Sequence, residues 1–224
     1  MSQDFTHEDR KHGIRNTVVA IVIFMVVVLG LFINRISQER ELSPKEMVSN
    51  GMIVFSLPRE ISPLALQDQN GNAFTNEQLL GKWTLVFFGF THCPDICPTT
   101  LSLFNQLSQQ LADTDYAADT QFLLVSLDPA RDTPEVLKTY VDYFNKDFIG
   151  VTGEFLDIHR MAKQLNVAFR KVVIDADTGD YTVDHGGNVA LINPQGFYHA
   201  FYKPPLDLDR MLLTYKSLRY SNRK

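Results

Sequence analysis

Cys93 and Cys97 are the only cysteines in the chain, and three residues separate them in Cys93-Pro94-Asp95-Ile96-Cys97-Pro98. The apolar run Leu85-Val86-Phe87-Phe88 precedes them and a segment of helical periodicity follows, so the pair falls where a buried strand gives way to a helix. Thiols at a helix N-terminus have lowered pKa values, because free amides and the helix dipole stabilise the thiolate. Such a thiolate attacks a disulfide or binds a soft metal ion. Redox pairs on a strand-loop-helix framework usually have two intervening residues. The extra residue here widens the loop, so both sulfurs can converge on one ion without losing the ability to close a disulfide.

Two thiolates make an incomplete metal site, which directs attention to histidine. His185 lies in Thr182-Val183-Asp184-His185-Gly186-Gly187-Asn188, between two expected strands and beside glycines that allow close backbone approach. In a mixed sheet this turn belongs at the same edge as the cysteine loop. Two sulfurs and one imidazole suit copper, since thiolate favours Cu(I) and nitrogen tolerates Cu(II). Zinc fits the ligand types, but a structural zinc site normally takes a fourth protein ligand. Spacing alone leaves two plainer alternatives open: a structural disulfide between Cys93 and Cys97, and a merely solvated His185. His92 is expected to point away from Cys93, His159 falls in a helical segment and His199 in a hairpin, so none of the three is read as a ligand. Asp128 and Asp184 stand beside expected strand ends and read as capping or supporting groups. The six methionines are scattered and form no copper-binding tract.

The elements that must position these residues follow from periodicity. Asn70-Gly71 marks a hairpin within residues 63–74, and Thr75 caps a short helix, Asn76 to Leu80, that Gly81 ends. Trp83 to Phe90 is a continuous apolar run, the mark of a strand buried on both faces. Thr99 to Ala112 has helical spacing, Phe122 to Leu127 is a second buried strand, and Thr133-Pro134 starts the next helix. A strand at Phe148 to Val151, a helix at Phe155 to Leu165, two strand pairs (167–174 with 181–183, 188–192 with 196–201) and a helix at Leu206 to Leu218 complete the order. Strands alternating with helices and then pairing as hairpins make a mixed α/β sheet with helices on both faces.

The chain of 224 residues is 45% hydrophobic and 21% charged, which leaves ample apolar material for one domain beyond an N-terminal segment. A net charge of −5 and the absence of a basic run exclude a nucleic-acid partner. Thr17 to Ile33 is uncharged and strongly apolar, and no small-x-small cleavage site follows it, so it reads as an uncleaved anchor. Lys/Arg counts tie on its two sides (Arg10, Lys11, Arg15 against Arg35, Arg40, Lys45), and the longer C-terminal part is placed on the exported side. The resulting organisation is a short tail at 1–16, a single transmembrane helix at 17–34, a linker at 35–55 and a domain at 56–224.

At these residues the sequence resembles the Sco/SenC family of thioredoxin-like copper chaperones, over roughly residues 60 to 220. The resemblance rests on Phe88-Gly89-Phe90-Thr91-His92-Cys93-Pro94-Asp95-Ile96-Cys97-Pro98, on Ser126-Leu127-Asp128-Pro129-Ala130-Arg131-Asp132-Thr133-Pro134 and on Tyr181-Thr182-Val183-Asp184-His185. It implies a thioredoxin-like domain in which Cys93, Cys97 and His185 bind one copper ion and the two cysteines can form a redox disulfide. It further implies help in assembling the binuclear copper site of cytochrome c oxidase, with subunit II or another copper-accepting protein as partner. The domain would face the periplasm or the mitochondrial intermembrane space. The family usually has Ser after the ligand His and Asp-Pro in the last hairpin turn, where this chain has Gly186 and Asn193-Pro194. The reading from another class is a thiol-disulfide oxidoreductase that reduces the acceptor cysteines without carrying metal. Enzymes of that kind generally carry a cis-proline just before a strand beside the dithiol, and no proline stands before Val189.

Overall fold

The computed structural model describes residues 7–37 and 40–222, with side chains at 15–32 and 40–222. The first six residues of the expected tail, and residues 38 and 39 of the expected linker, lie outside the described residues. Helix α1 (His7–Ser37) contains the apolar window Arg15–Phe32, whose mean hydropathy is 2.3 and none of which is buried. By length and composition it can cross a membrane. It begins well before the expected boundary at 17, since Glu8, Arg10 and Lys11 are good helix formers and propagation past them costs little. Residues up to Arg40 and residues from Glu41 onward are two separate compact units.

The second unit starts earlier than the sequence indicated. Ser43 caps helix α2 (Pro44–Ser49) through a reciprocal box: its hydroxyl accepts from the Glu46 amide at 3.3 Å, and the Glu46 carboxylate accepts from the Ser43 amide at 2.9 Å. Strand β1 (Met52–Arg59) follows, and Leu42, Met47 and Met52 are all buried. Most of the stretch expected to be linker is therefore domain. The charged composition of residues 38–50 hid two apolar side chains, Leu42 and Met47, that reach the core.

Strands β2 (Leu66–Asp68) and β3 (Ala73–Phe74) form the hairpin expected around Asn70-Gly71, with Gly71 at φ +80°. Thr75 caps a single 3-10 turn, Asn76–Leu79. All of β4 (Trp83–Gly89) is buried, as its unbroken apolar sequence requires. Helix α3 (Ile96–Leu111) starts three residues before the expected Thr99, which places Cys97 in its first turn. Then come β5 (Thr120–Ser126), α4 (Pro134–Phe144) with Thr133 as N-cap, β6 (Ile149–Thr152) and α5 (Phe155–Gln164). The chain closes with β7 (Phe169–Asp175), β8 (Asp180–His185), β9 (Val189–Ile192), β10 (Tyr198–Tyr202) and α6 (Leu208–Ser221).

The large sheet has the order β1-β10-β9-β4-β5-β6-β2-β3, with β4, β5 and β6 parallel and β9 antiparallel to β4. This is the mixed, thioredoxin-like α/β arrangement. Gly89 pairs with Ser126 and Phe87 with Val189, so the carboxyl ends of β4 and β5 and the entry to β9 share one edge. The loops that follow or precede those ends are 90–95, 127–133 and 186–188. Strands β7 and β8 form a separate two-stranded sheet. Alternating sequence made them strands, but it carried no information about which sheet they would join.

A chain beginning at Glu41 should unfold cooperatively on heating, because it keeps the second unit whole. One beginning at Ser56 loses three buried side chains worth about 1.5–3 kcal/mol each and half of β1. Urea unfolding should show it weaker by roughly 5 kcal/mol or more, or not folded at all.

Candidate metal centre

The two sulfurs are held differently. Cys97 is buried, and its sulfur lies against the end of β4: a Cβ added at Gly89 would come within 2.8 Å of Sγ. Only glycine leaves room there. Cys93 is half-buried in the turn before α3, where its amide bonds the Phe90 carbonyl at 3.2 Å. The N-cap Asp95 makes no side-chain capping bond. Free first-turn amides are therefore left for the Cys93 sulfur.

That asymmetry appears in the acidities. The neighbouring Cys97 thiol, as hydrogen-bond donor, holds Cys93 far below an ordinary thiol, at about 4, against the opposing cost of burial. His185 and the amides of Asp95 and Cys97 add to the lowering. The Cys97 thiol is pushed up, because it shares its proton with Cys93 and is buried. At neutral pH the pair therefore carries one negative charge, centred on Cys93.

His185 ends β8, and its imidazole reaches the same point. Nε2 lies 3.8 Å from the Cys97 sulfur, and one donor atom from each of Cys93, Cys97 and His185 falls within 4.8 Å of the others. Nδ1 is 3.1 Å from the Gly186 carbonyl, which can only accept. Nδ1 therefore carries a proton, and Nε2 is the ring nitrogen that faces the sulfurs. The rings of Phe87 and Phe90 meet the imidazole edge-on, each with centroids 5.9 Å away, and fix its plane. Bonds of about 2.0 Å to imidazole and 2.3 Å to thiolate, opened to a trigonal angle, separate the donors by about 3.7 Å. The observed Cys97–His185 separation of 3.8 Å matches that spacing, and all three donors lie within 4.8 Å of one another, close enough to share one soft ion.

The three residues singled out from the sequence are thus brought together, and His92, His159 and His199 are not. His92 is exposed and its Nδ1 meets the Thr91 hydroxyl at 3.1 Å. His159 stacks with Phe155 and Phe169, and His199 is buried beside Trp83 and Asn193. Asp128 accepts from the Tyr181 hydroxyl at 2.8 Å, and Asp184 makes an exposed ion pair with Arg170 at 3.1 Å.

Sequence reading missed the groups that hold the loops in place. Asp132 is fully buried; its carboxylate accepts from the Thr91 amide at 3.1 Å, the Thr91 hydroxyl at 2.6 Å and the Ser126 hydroxyl at 2.6 Å. It ties the turn before Cys93 to the end of β5. Gly187 brings bare backbone up to the cysteine loop, where an added Cβ would lie 2.6 Å from Ile96 Cδ1. The signal for both was present as the second motif and the paired glycines, but neither spacing names a contact.

The family profile described as SCO1/SenC matches residues 57–218. A protein of Stutzerimonas stutzeri described as a putative copper-binding protein is 47% identical over 159 residues, covering 70% of this chain and 76% of its own. The Saccharomyces cerevisiae protein SCO1, mitochondrial, is 35% identical over 179 residues; the match covers 79% of this chain but only 59% of the yeast protein's length. Among solved structures, Arabidopsis thaliana ScoI with copper bound superposes with a TM-score of 0.65 at 32% identity, covering 71% of this chain and 98% of that one.

In reduced, metal-free protein, iodoacetamide should modify Cys93 first and leave Cys97 largely untouched. The rate should follow the Cys93 thiolate, level near neutral pH and falling as the solution is acidified through about 4. Mass spectrometry of quenched peptides reads both outcomes. A Cys93 profile with an ordinary thiol midpoint would contradict the described sharing of one proton.

Proposed function

The chain belongs to the SCO1/SenC family, and on that premise we propose that it is a membrane-anchored copper chaperone binding one copper ion through Cys93, Cys97 and His185. The observation that carries this is the convergence of two sulfurs and an imidazole nitrogen within 4.8 Å. Copper is the cargo. Cys93 meets it already as thiolate, His185 offers Nε2, and Cys97 must give up its proton. Loading therefore releases a proton, and affinity rises with pH. Half-exposed Cys93 and His185 form the side from which an acceptor ligand can enter, while buried Cys97 keeps its hold longest.

The acceptor is the binuclear copper site of cytochrome c oxidase, on subunit II or on another copper-accepting protein. Helix α1 anchors the chain as a single-pass membrane protein, with the domain in the periplasm of a bacterial inner membrane or in the mitochondrial intermembrane space. The split acidity of the dithiol favours a second reading, reduction of the acceptor's cysteines: Cys93 attacks and Cys97 resolves. Closing a Cys93–Cys97 disulfide would then accompany the transfer of two electrons to the acceptor disulfide.

The full chain, reduced and purified in detergent without oxygen, should take up one Cu(I). His185→Ala should weaken binding by ~100-fold, or about 2.8 kcal/mol at 1.4 kcal/mol per tenfold, as measured by competition with a chromophoric chelator. Unchanged affinity would remove the three-ligand site. Disulfide reduction by metal-free protein, rapid and indifferent to His185→Ala, would favour the reductase reading.

A further inference from the structure

The imidazole that completes the site stands on a hairpin outside the large sheet, so no ladder of that sheet holds it in place. Residues 181, 183 and 185 share one face of β8, and they are the side chains turned toward the rest of the domain: Tyr181 and His185 partly buried, Val183 buried. The other strand of the hairpin, β7, is mostly exposed. At the His185 end both strands run on into the domain through buried Val167 and Gly187, and the Gly186 amide, donating to the Ala168 carbonyl at 3.3 Å, closes the hairpin on itself. At the other end, about 13 Å along the strand at 3.3 Å per residue, it is fastened through Tyr181.

The Tyr181 hydroxyl donates to the Asp128 carboxylate at 2.8 Å. The Arg131 guanidinium lies over the Tyr181 ring at 3.9 Å, and its Nη1 donates to the Tyr181 carbonyl at 3.2 Å. Arg131 is itself held by an ion pair from Nε to Asp128. Its Nη2 is buried without a hydrogen-bond partner among the described residues. The contact with the aromatic face, not a full set of hydrogen bonds, therefore keeps the guanidinium where it is. Within the hairpin, Lys171 Nζ sits 3.4 Å from the same ring. Asp128 and Arg131 belong to the loop whose Asp132 bonds Thr91, two residues before Cys93. One short loop thus grips both the cysteine turn and the histidine hairpin.

We propose that Tyr181, clamped by Asp128 and Arg131, is a positioning residue that sets the distance of His185 from the cysteine pair and so tunes affinity for the soft ion. This rests on the three-ligand reading above. Supporting residues around a metal ligand typically contribute 10–100-fold in affinity, which sets the scale of the effect. Freed from the clamp, β8 would be free to lift and twist along its length, carrying His185 off the cysteine pair, and the site would pass toward a two-sulfur one.

The test measures Cu(I) affinity of the full chain in detergent by chelator competition, with X-ray absorption to count imidazole scattering. Tyr181→Leu should bind about 10-fold more weakly, keep one copper per chain and show reduced imidazole scattering. Tyr181→Phe, which keeps the ring under Arg131 and loses one hydrogen bond, should lose about 2- to 10-fold; it decides the matter should the leucine variant not fold. In a His185→Ala background Tyr181→Phe should have no further effect, since the clamp acts only through the imidazole. Wild-type affinity in both Tyr181 variants, or an equal loss with and without His185, overturns the clamp. If instead His185→Ala alone changes nothing, it is the three-ligand site that fails.

Discussion

A carboxylate sealed from water holds this edge of the molecule together. Asp132 accepts three hydrogen bonds, two from Thr91 and one from Ser126, and has no exposure of its own. Burying a charge is costly unless it is fully bonded, and bonds to a charged group each contribute about 1.5–3 kcal/mol. The arrangement is therefore close to all-or-none: a turn that drifted would strand the charge. Thr91 precedes the cysteines and Ser126 ends β5, so the carboxylate makes the loop before α3 as firm as the central strands. The dithiol inherits that rigidity, and its uneven acidity depends on it, because sharing a proton between sulfurs requires that neither wander.

The third donor is mounted on a different principle. Parallel β4 and β5 anchor the cysteine loop by backbone ladders of the large sheet, whereas the imidazole stands outside that sheet and is placed by two phenyl edges, the Gly186 carbonyl that orients the ring, and a tyrosine at the far end of the strand. A site built from one stiff and one adjustable half suits an ion that must be held and then surrendered. Ligands fixed on every side would raise affinity at the expense of exchange.

The sequence disclosed most of the scaffold. The seven-residue apolar run of β4, the Thr133-Pro134 start of α4 and the Asn-Gly hairpin each carry their own local cause, and each appears where local physics puts it. The donor atoms were legible too, since two lone cysteines and a histidine followed by two glycines leave few chemical options. What stayed hidden was tertiary. Asp132 meets Thr91 across 41 positions and Tyr181 meets Asp128 across 53, distances at which no periodicity speaks. The start of the domain was misjudged for a related reason: charge near Leu42 and Met47 resembled a linker, although one buried side chain per turn is enough to join a core. The start of α3 at Ile96 was not legible because Ile96-Cys97-Pro98 lacks periodic neighbours on its N-terminal side, although Pro98 is tolerated in a first turn.

A hairpin that pairs only with itself also has two bare backbone rims. In β7 the apolar Val173 and Ile174 are 60% and 63% exposed, a pattern that invites another chain to add a strand. Around them stand Arg170, Lys171, Asp175, Asp177 and Asp180, charges of both signs that deter such stacking. Within the domain, the arm that carries the imidazole is thus also one that must be kept from pairing with another copy. Substitutions that neutralise this fringe would be felt first as self-association in concentrated solution, with the donor atoms still intact.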